Sequence, residues 1–307
     1  MSLTYQALFS WENLWLAWKR AAKGKRGRAS TACFEFRLED NLTILQKQLM
    51  EKRYRPGNYS SFYIHEPKKR LISAAPFCDR IVHHALCQII EPVFERSFIK
   101  DSYANRIGKG THKANDRAQY YSRKYKYVLQ CDIQQFFPLI DHQILIDILN
   151  KKISDSDILW LIQLILESGQ QSVDHSNRAV YFPGDDLFAT LRPRGLPIGN
   201  LTSQFWANCF LNPIDHFIKR ELRCKGYLRY VDDFLLFHDN KKVLWQWKQK
   251  IIKRLQSLRL KIHENKANVR PVNQGIPFLG FTIFPTHRRL KRQKGIYYQR
   301  SEEHTSE

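Results

Sequence analysis

The chain has 307 residues, 43% of them hydrophobic, which is enough to bury a sizeable core. Fifty lysines and arginines against 29 acidic residues give a formal net charge of +21. This charge indicates a polyanionic partner, nucleic acid first and a membrane surface as the main competitor. No run of about eighteen apolar residues and no signal segment occur, so we expect a cytoplasmic protein that does not enter a membrane. The six cysteines form no C-x-x-C pair, which indicates neither a zinc ribbon nor a disulfide framework.

The first 126 residues are basic and rich in loops. Apolar spacing and breaker residues predict four helices, over residues 10–22, 38–52, 79–90 (capped by Asp79) and 112–124. Two strands, SFYIHE and KRLIS, are predicted between the second and third helices. The basic run KGKRGR after the first helix is typical either of a solvated arm or of a segment that follows phosphates.

The character of the chain changes near residue 126. From there we predict a strand in VLQCDI, an amphipathic helix in LIDHQILIDILN, and a helical segment followed by a long loop to Arg194. A helix over 201–222, a hairpin, a helix over 241–258 and a further strand complete the series. This order predicts an α+β arrangement in which helices back a small antiparallel sheet.

Asp232 and Asp233 lie between two apolar strands in YVDDFLLF, so we predict that they occupy the tip of a hairpin. Successive strand residues face opposite sides, and only a turn lets both carboxylates serve one site. Adjacent buried carboxylates suit magnesium or manganese, with Asp232 as the direct ligand and Asp233 as the weaker one. An ordinary aspartate-rich turn is the alternative interpretation.

Asp132 ends an apolar strand and is followed closely by two phenylalanines. A surface carboxylate has little reason to lie between buried positions, although a helix N-cap is an alternative. A third carboxylate beside the pair allows two metal ions to serve an in-line displacement at phosphorus. The three aspartates therefore predict polymerase chemistry.

Seven blocks occur in order: KKRLISAAPFCDRIVHHAL, SYANRIGKGTHKA, LQCDIQQFF, GLPIGNLTSQ, YVDD, KIHENKANV and FLGF. Together they resemble the reverse transcriptase family over residues 54–284. Within the family, GLPIGNLTSQ and SWENLWLAWKRAAKGKR most resemble the enzymes of diversity-generating retroelements. Group II intron, retron and phage-defence enzymes are neighbouring subfamilies, which usually have glutamine where this chain has Ile198.

The resemblance implies a right-hand polymerase fold with helical and β fingers, an antiparallel-sheet palm and a thumb that is largely missing. Residues 1–126 would form the N-terminal arm and fingers, and residues 127–285 the palm, with a fingers-side insertion at about 151–194. Residues 286–307 would be the start of a thumb and a non-native tail. The ending RSEEHTSE, read back into codons, matches a sequencing adapter, so we expect residues from about Ser301 not to be native.

The same resemblance implies roles for individual residues. The metal ligands would be Asp132, Asp232, Asp233 and the backbone carbonyl of Ile133. The nucleotide-binding residues would be Lys69, Arg70, Arg80, Phe137, Ile198, Gly199, Gln204 and Lys266. Phe137 resembles the steric gate against ribonucleotides, with core packing as the alternative, and Lys266 has an exposed structural lysine as its alternative. The primer grip would be Phe278, Leu279, Gly280 and Phe281.

The resemblance therefore implies a magnesium-dependent, RNA-directed DNA polymerase. Ile198 removes a hydrogen-bonding amide from the nascent base pair, and in the enzymes that this chain resembles such a replacement goes with error-prone copying at template adenines. Its partners would be template RNA, a DNA primer, deoxynucleoside triphosphates and a small basic helical accessory protein. Alternatives are a group II intron-like or phage-defence reverse transcriptase, and a non-catalytic, maturase-like RNA-binding protein.

Overall fold

The computed structural model describes residues 3–65, 69–170, 172–173 and 181–291. The predicted non-native tail lies outside the described residues, as do residues 292–300 of the predicted thumb start. Within these ranges no helix combines the length and the apolar composition that a membrane span requires.

Helices and short antiparallel strands alternate along the chain. The α-helices are α1 (Tyr5–Leu8), α2 (Trp11–Ala22), α3 (Ala29–Phe36), α4 (Leu38–Met50), α5 (Phe77–Glu95), α6 (Thr111–Lys124), α7 (Phe136–Leu139), α8 (His142–Asn150), α9 (Ser156–Gln170), α10 (Leu201–His216) and α11 (Lys241–Gln256). The strands are β1 (Ser60–Ile64), β2 (Arg70–Ala74), β3 (Tyr127–Asp132), β4 (Gly226–Tyr230), β5 (Asp233–His238), β6 (Val269–Pro271), β7 (Ile276–Phe278), β8 (Phe281–Ile283) and β9 (Arg288–Leu290).

The chain divides into two compact units. Unit 1 contains residues 1–98 and 135–212, and unit 2 contains residues 99–134 and 213–307. Residues 99–126, predicted as part of the fingers, belong to unit 2, where α6 packs against β4, β5 and β8. The division into an N-terminal arm and fingers over residues 1–126 and a palm over residues 127–285 stays a prediction.

Unit 1 is mainly helical, and buried side-chain hydrogen bonds join α2 to α5. The side-chain amide of Asn13 donates to the carbonyl oxygens of Leu8 and Ala85, at 2.7 and 3.1 Å. Gln88 donates in turn to Asn13 Oδ1 at 2.8 Å. Such pairing satisfies polar groups that would otherwise destabilise the core. The antiparallel hairpin of β1 and β2 also belongs to this unit.

Unit 2 is built on an antiparallel sheet with the strand order β4-β5-β3-β6, and a second sheet has the order β7-β8-β9. Helix α6 covers the first sheet with Ala114 and Ala118, which join a buried cluster with Val128, Leu235 and Phe237. The predicted antiparallel sheet backed by helices is confirmed.

Several predicted boundaries are wrong by a few residues. Helix α4 ends at Met50 because Lys52 adopts a left-handed φ of 56°. The α-helical part of the predicted 201–222 helix ends at His216 and continues as a π-helical turn. Asp79 does not cap α5, which begins at Phe77 after Pro76; its carboxylate accepts hydrogen bonds from other groups instead.

Candidate active site

The end of β3 and the tip of the β4–β5 hairpin bring the three predicted aspartates into one region of unit 2. In the strand register, Asp132 lies opposite Asp233, and Asp233 lies opposite Tyr230. Val231 and Asp232 form the two-residue connection between the strands. The hairpin predicted from YVDD is confirmed, and it explains how neighbouring aspartates reach the same edge of the sheet.

The backbone is strained beside Asp232. Val231 has a φ of +55°, a left-handed conformation that a β-branched residue rarely adopts. Such residues cost about 1–3 kcal/mol each and persist only where surrounding contacts enforce them. The amide of Ile133 donates to the carbonyl oxygen of Asp232 at 3.3 Å, which ties the turn to the end of β3.

A segment after α11 closes the other side of Asp132. The amide of His263 donates to the carbonyl oxygen of Asp132 at 2.9 Å, and Ile133 forms a bridge with Ile262. The imidazole Nε2 of His263 lies 3.9 Å from a carboxylate oxygen of Asp132. The backbone of Asp132 is thus held between β5 and this segment, while its side chain is partly exposed.

The pKa of Asp233 is raised to about 7, mainly by burial and further by the charges of Asp132 and Asp232. A hydrogen bond from Gln130 Nε2, at 3.3 Å, opposes this increase. The negative charge of Asp233 is thus costly in the folded protein. Binding a cation would remove this cost.

The donors fit magnesium, which prefers carboxylate and carbonyl oxygens. The three aspartates supply carboxylates, and Ile133 adds a backbone carbonyl at the same strand end. Across the described residues, however, no three acidic, histidine or cysteine side chains converge on a common point for a metal ion. The predicted donors are adjacent, and the assignment of the metal ligands stays a prediction.

The other residues singled out in unit 2 lie in two turns. Lys266 is exposed in the turn after His263, where its amide donates to the His263 carbonyl oxygen. In the predicted primer grip, Phe278 pairs with Phe281 across a two-residue turn. Leu279 and Gly280 have φ values of 45° and 90°, as a tight hairpin with both central residues left-handed requires.

In unit 1, a second group of predicted residues is joined by backbone contacts. We name the segment 195–200, together with β2 and α7, the platform. The Ser73 amide in β2 donates to the Ile198 carbonyl at 2.9 Å, and the Leu196 amide donates to the Phe137 carbonyl at 2.9 Å. Gly199 has a φ of +116°, and a Cβ there would lie 3.0 Å from the Ile72 side chain. Glycine thus permits both the turn and its close approach to β2.

The buried side chain of Asn200 fixes the platform. Its amide nitrogen donates to the Ser73 carbonyl at 2.8 Å, and its oxygen accepts from the Ala75 amide at 3.1 Å. Arg80 is tied to the same place, because its Nε donates to the Ala75 carbonyl at 2.7 Å. Burial lowers the pKa of Arg80, and the charge of Arg28 lowers it further.

Phe136 and Phe137 differ in a way that bears on the gate prediction. Phe136 is 2% exposed and packs toward Phe210, whereas Phe137 is only half-buried. Core packing is therefore the role of Phe136, and Phe137 keeps a surface for another contact.

The remaining predicted unit 1 residues are less constrained. Lys69 lies with its Nζ 4.4 Å from the centre of the Tyr63 ring, and Arg70 is the exposed first residue of β2. Gln204 is half-buried in the first turn of α10.

Sequence reasoning missed four polar side chains: Gln130, Asn200, Asp215 and Arg229. Gln130 could have been found, because it precedes Asp132 by two strand residues and so shares its face. Asn200 binds Ser73 on β2, and Asp215 on α10 binds Arg229 on β4, so each has a partner on another element that no local pattern indicates.

Comparison with known proteins identifies the family. Residues 64–283 match the family described as reverse transcriptase (RNA-dependent DNA polymerase). The chain is 23% identical to protein YkfC of Escherichia coli over 300 residues, covering 85% of this chain and 75% of YkfC. It is 25% identical over 183 residues to the group II intron-encoded protein LtrA of Lactococcus lactis, covering 59% of this chain but 28% of LtrA.

Among solved structures, the fold is similar to apo telomerase from Candida tropicalis, with a TM-score of 0.57 and 12% identity. The match covers 77% of this chain and 49% of that one. This likeness confirms the predicted right-hand polymerase fold. The family match covers more than half of this chain, and the chain therefore belongs to the reverse transcriptase family.

Proposed function

We propose that the chain is an RNA-directed DNA polymerase, which extends a DNA primer by copying a template RNA. The observation that carries this proposal is the meeting of Asp132, Asp232 and Asp233 at one strand end, where the pKa of Asp233 is raised to about 7 by burial and by the other two carboxylates. A site of this kind suits divalent cations and phosphoryl transfer.

In this proposal Asp132, Asp232, Asp233 and the Ile133 carbonyl hold magnesium, with manganese as a substitute. When bound, the ions supply activation of the primer hydroxyl and stabilisation of the leaving pyrophosphate. The aspartates fix the place of the reaction, and Lys266 is available for contact with the leaving group. The hairpin Phe278–Phe281 holds the primer end.

The platform, together with Lys69, Arg80 and Gln204 of unit 1, binds the incoming deoxynucleoside triphosphate. Arg70, Arg80 and Lys69 meet its phosphates, since arginine and lysine clamps stabilise a transferring phosphoryl group. Phe137, which is half-buried, excludes a ribose 2′-hydroxyl with its ring. Ile198, Gly199 and Gln204 contact the nascent pair, where the bare backbone of glycine lets a base or sugar approach closely.

The charge of +21 supports template RNA and DNA as partners, because phosphate contacts by lysine and arginine dominate nucleic-acid affinity. We assign residues 1–126 to the N-terminal arm and fingers and residues 127–285 to the palm. A small basic helical accessory protein belongs to the same proposal through the resemblance to diversity-generating retroelements.

We propose diversity-generating copying as the finer function, on the apolar Ile198 in the platform. Polar contacts with the enzyme are part of what favours a correct base pair over an incorrect one. Losing one such contact, worth about 1 kcal/mol, lowers the discrimination against incorrect nucleotides several-fold. The similarity to LtrA and to nuclear intron maturases of Arabidopsis thaliana favours a second candidate, an intron-type reverse transcriptase or maturase.

Primer extension on a defined RNA template tests the main proposal. The 307-residue chain should incorporate deoxynucleotides with magnesium or manganese and should stop when EDTA is added. RNA binding at constant ionic strength should persist in EDTA. Incorporation that continues without divalent cations, or RNA binding with no incorporation under any metal, would leave an RNA-binding protein instead.

Deep sequencing of the product tests the finer proposal. Wild type should misincorporate mainly opposite template adenine, and Ile198→Gln should lower that error several-fold with little change in extension rate. Ile198→Leu is the control, because it keeps the apolar surface. Equal and low error frequencies at adenine in wild type and Ile198→Gln would favour the intron-type candidate.

A further inference from the structure

A buried ion pair lies beneath the hairpin that carries Asp232. Arg229 in β4 is 1% exposed and Asp215 in α10 is 0% exposed. Arg229 donates through Nε and Nη2 to the two carboxylate oxygens, at 2.8 and 2.7 Å. The hydroxyl of Tyr227 donates to the same carboxylate at 2.6 Å. This two-pronged geometry fixes the plane of the guanidinium group.

The third arm of the guanidinium reaches the turn itself. Arg229 Nη1 donates to the carbonyl oxygen of Val231 at 3.0 Å. That oxygen belongs to the peptide group joining Val231 to Asp232, so the contact sets the orientation of this peptide. Val231 is the residue with a φ of +55°, and Arg229 therefore stabilises the strained conformation.

The next peptide is held as well. The Ile133 amide donates to the carbonyl oxygen of Asp232, so contacts constrain the peptides on both sides of its Cα. The Arg229 backbone is equally fixed, since its amide donates to the Asp101 carbonyl and its carbonyl accepts from the Tyr103 amide. Two fixed peptide planes determine the direction in which the Asp232 side chain leaves the turn.

Stability alone gives little reason for an ion pair in this position. A well-packed apolar cluster of similar volume is often as stable as a buried ion pair, because two charges must lose their water. What apolar side chains cannot supply is a hydrogen bond to the Val231 carbonyl. The cationic group also lies close enough to Asp232 for their charges to attract.

We propose that Arg229, oriented by Asp215, is a positioning residue that sets the direction of the Asp232 carboxylate. This inference rests on the proposed function, in which Asp232 is a metal ligand. Arg229 acts through the backbone of the turn and through its charge, and it does not touch the substrate.

Three variants separate positioning from packing. Arg229→Lys keeps the positive charge. A lysine cannot donate two hydrogen bonds to the Asp215 carboxylate and at the same time donate one to the Val231 carbonyl oxygen. The triple variant Asp215→Leu, Tyr227→Phe, Arg229→Met replaces the whole cluster with apolar groups and leaves no buried hydroxyl without a partner. Arg192→Lys is the matched control, since Arg192 also binds an aspartate, Asp141, through two nitrogens, at 2.6 and 2.9 Å.

The measurements are the melting temperature, the single-turnover extension rate with the nucleotide affinity, and Mn²⁺ binding followed by the electron paramagnetic resonance of free Mn²⁺.

Arg229→Lys and the triple variant should fold, extend about 10- to 100-fold more slowly and bind Mn²⁺ more weakly, because small displacements of a reacting group have effects of this size. Nucleotide affinity should stay within about twofold, since uniform binding is not altered. Arg192→Lys should resemble wild type.

A triple variant that folds with wild-type rate and Mn²⁺ affinity would overturn the inference, as would an equal loss in Arg192→Lys. Failure of the proposed function has a different signature, namely a wild type that never extends a primer. Mn²⁺ binding still decides the inference in that case. Equal affinity in wild type and Arg229→Lys would contradict it, and weaker affinity in Arg229→Lys alone would support it.

Discussion

The aspartates of unit 2 and two basic residues of unit 1, Lys69 and Arg70, differ in how firmly the fold fixes their positions. Asp132 and Asp232 lie on backbone that neighbouring strands and buried side chains fix on both sides. Lys69 and Arg70 are exposed residues at the start of β2, which pairs with the exposed strand β1. Carboxylates that repel one another need enforced placement, whereas basic side chains that meet phosphates can adjust during binding.

This difference predicts different kinetic effects. Changes around the aspartates should alter the rate of the chemical step, and changes on the platform should alter nucleotide selection and affinity. The following experiments test that division, beginning with the largest effect expected on the platform.

Phe137→Ala should remove discrimination against ribonucleotides. Phe137 is half-buried, and deleting its ring opens space for a 2′-hydroxyl. Steric exclusion of this kind changes the ratio of kcat/KM for two substrates by about 100-fold. The preference for deoxynucleotides over ribonucleotides should therefore fall by about that factor. The measurement is the ratio of kcat/KM for a matched deoxynucleotide and ribonucleotide, with Phe62→Ala on the β1–β2 hairpin as the control. An unchanged ratio, with a lower melting temperature, would assign Phe137 to the core.

Arg70→Ala should raise the KM for the nucleotide by about tenfold. One charge-assisted hydrogen bond contributes about 1.4 kcal/mol, which corresponds to a tenfold change in affinity. The maximal single-turnover rate should change much less, because the aspartates are unaffected. Arg53→Ala, an exposed arginine elsewhere in unit 1, is the control. A loss confined to the maximal rate would show that Arg70 belongs with the catalytic group.

Asp233→Asn should stabilise the metal-free protein at alkaline pH. The pKa of Asp233 in the fold, about 7, lies above its ordinary value of 3.8, so the folded state binds more protons than the unfolded state between these values. Its contribution to the free energy of unfolding therefore decreases as the pH rises through this window.

At pH 8 the gain in the variant should be about 1 kcal/mol, a value reduced for solvent screening of a partly exposed group. At pH 3 the two proteins should be equally stable. The measurement is urea unfolding in EDTA across this range, and magnesium should reduce the difference by stabilising the charged form. A pH-independent difference would contradict the raised pKa.

The elements that alternation and turn residues specify could be predicted from sequence. The apolar strands around Asp232 predict the hairpin that β4 and β5 form. Asp79 shows where such reasoning fails, because its position resembles a helix cap while its carboxylate binds the hydroxyl of Tyr54, 25 residues earlier.

The supporting contacts of the site could not be predicted for the same reason. Asn200 binds Ser73, 127 residues away in the chain, and Arg229 binds Asp215 on a separate helix. Periodicity reports which face of an element is buried, but it carries no information on which distant polar group completes a buried hydrogen bond.

The central claim is that Asp232 belongs to a phosphoryl-transfer site, and single-turnover extension of a primed RNA template by Asp232→Asn tests it most directly. Asp239→Asn, an exposed aspartate just beyond the end of β5, is the matched control. Asp232→Asn should lose at least about 1000-fold in rate while RNA affinity and melting temperature stay close to wild type, because only a metal-dependent step is removed. Extension by Asp232→Asn at the rate of Asp239→Asn would contradict the account.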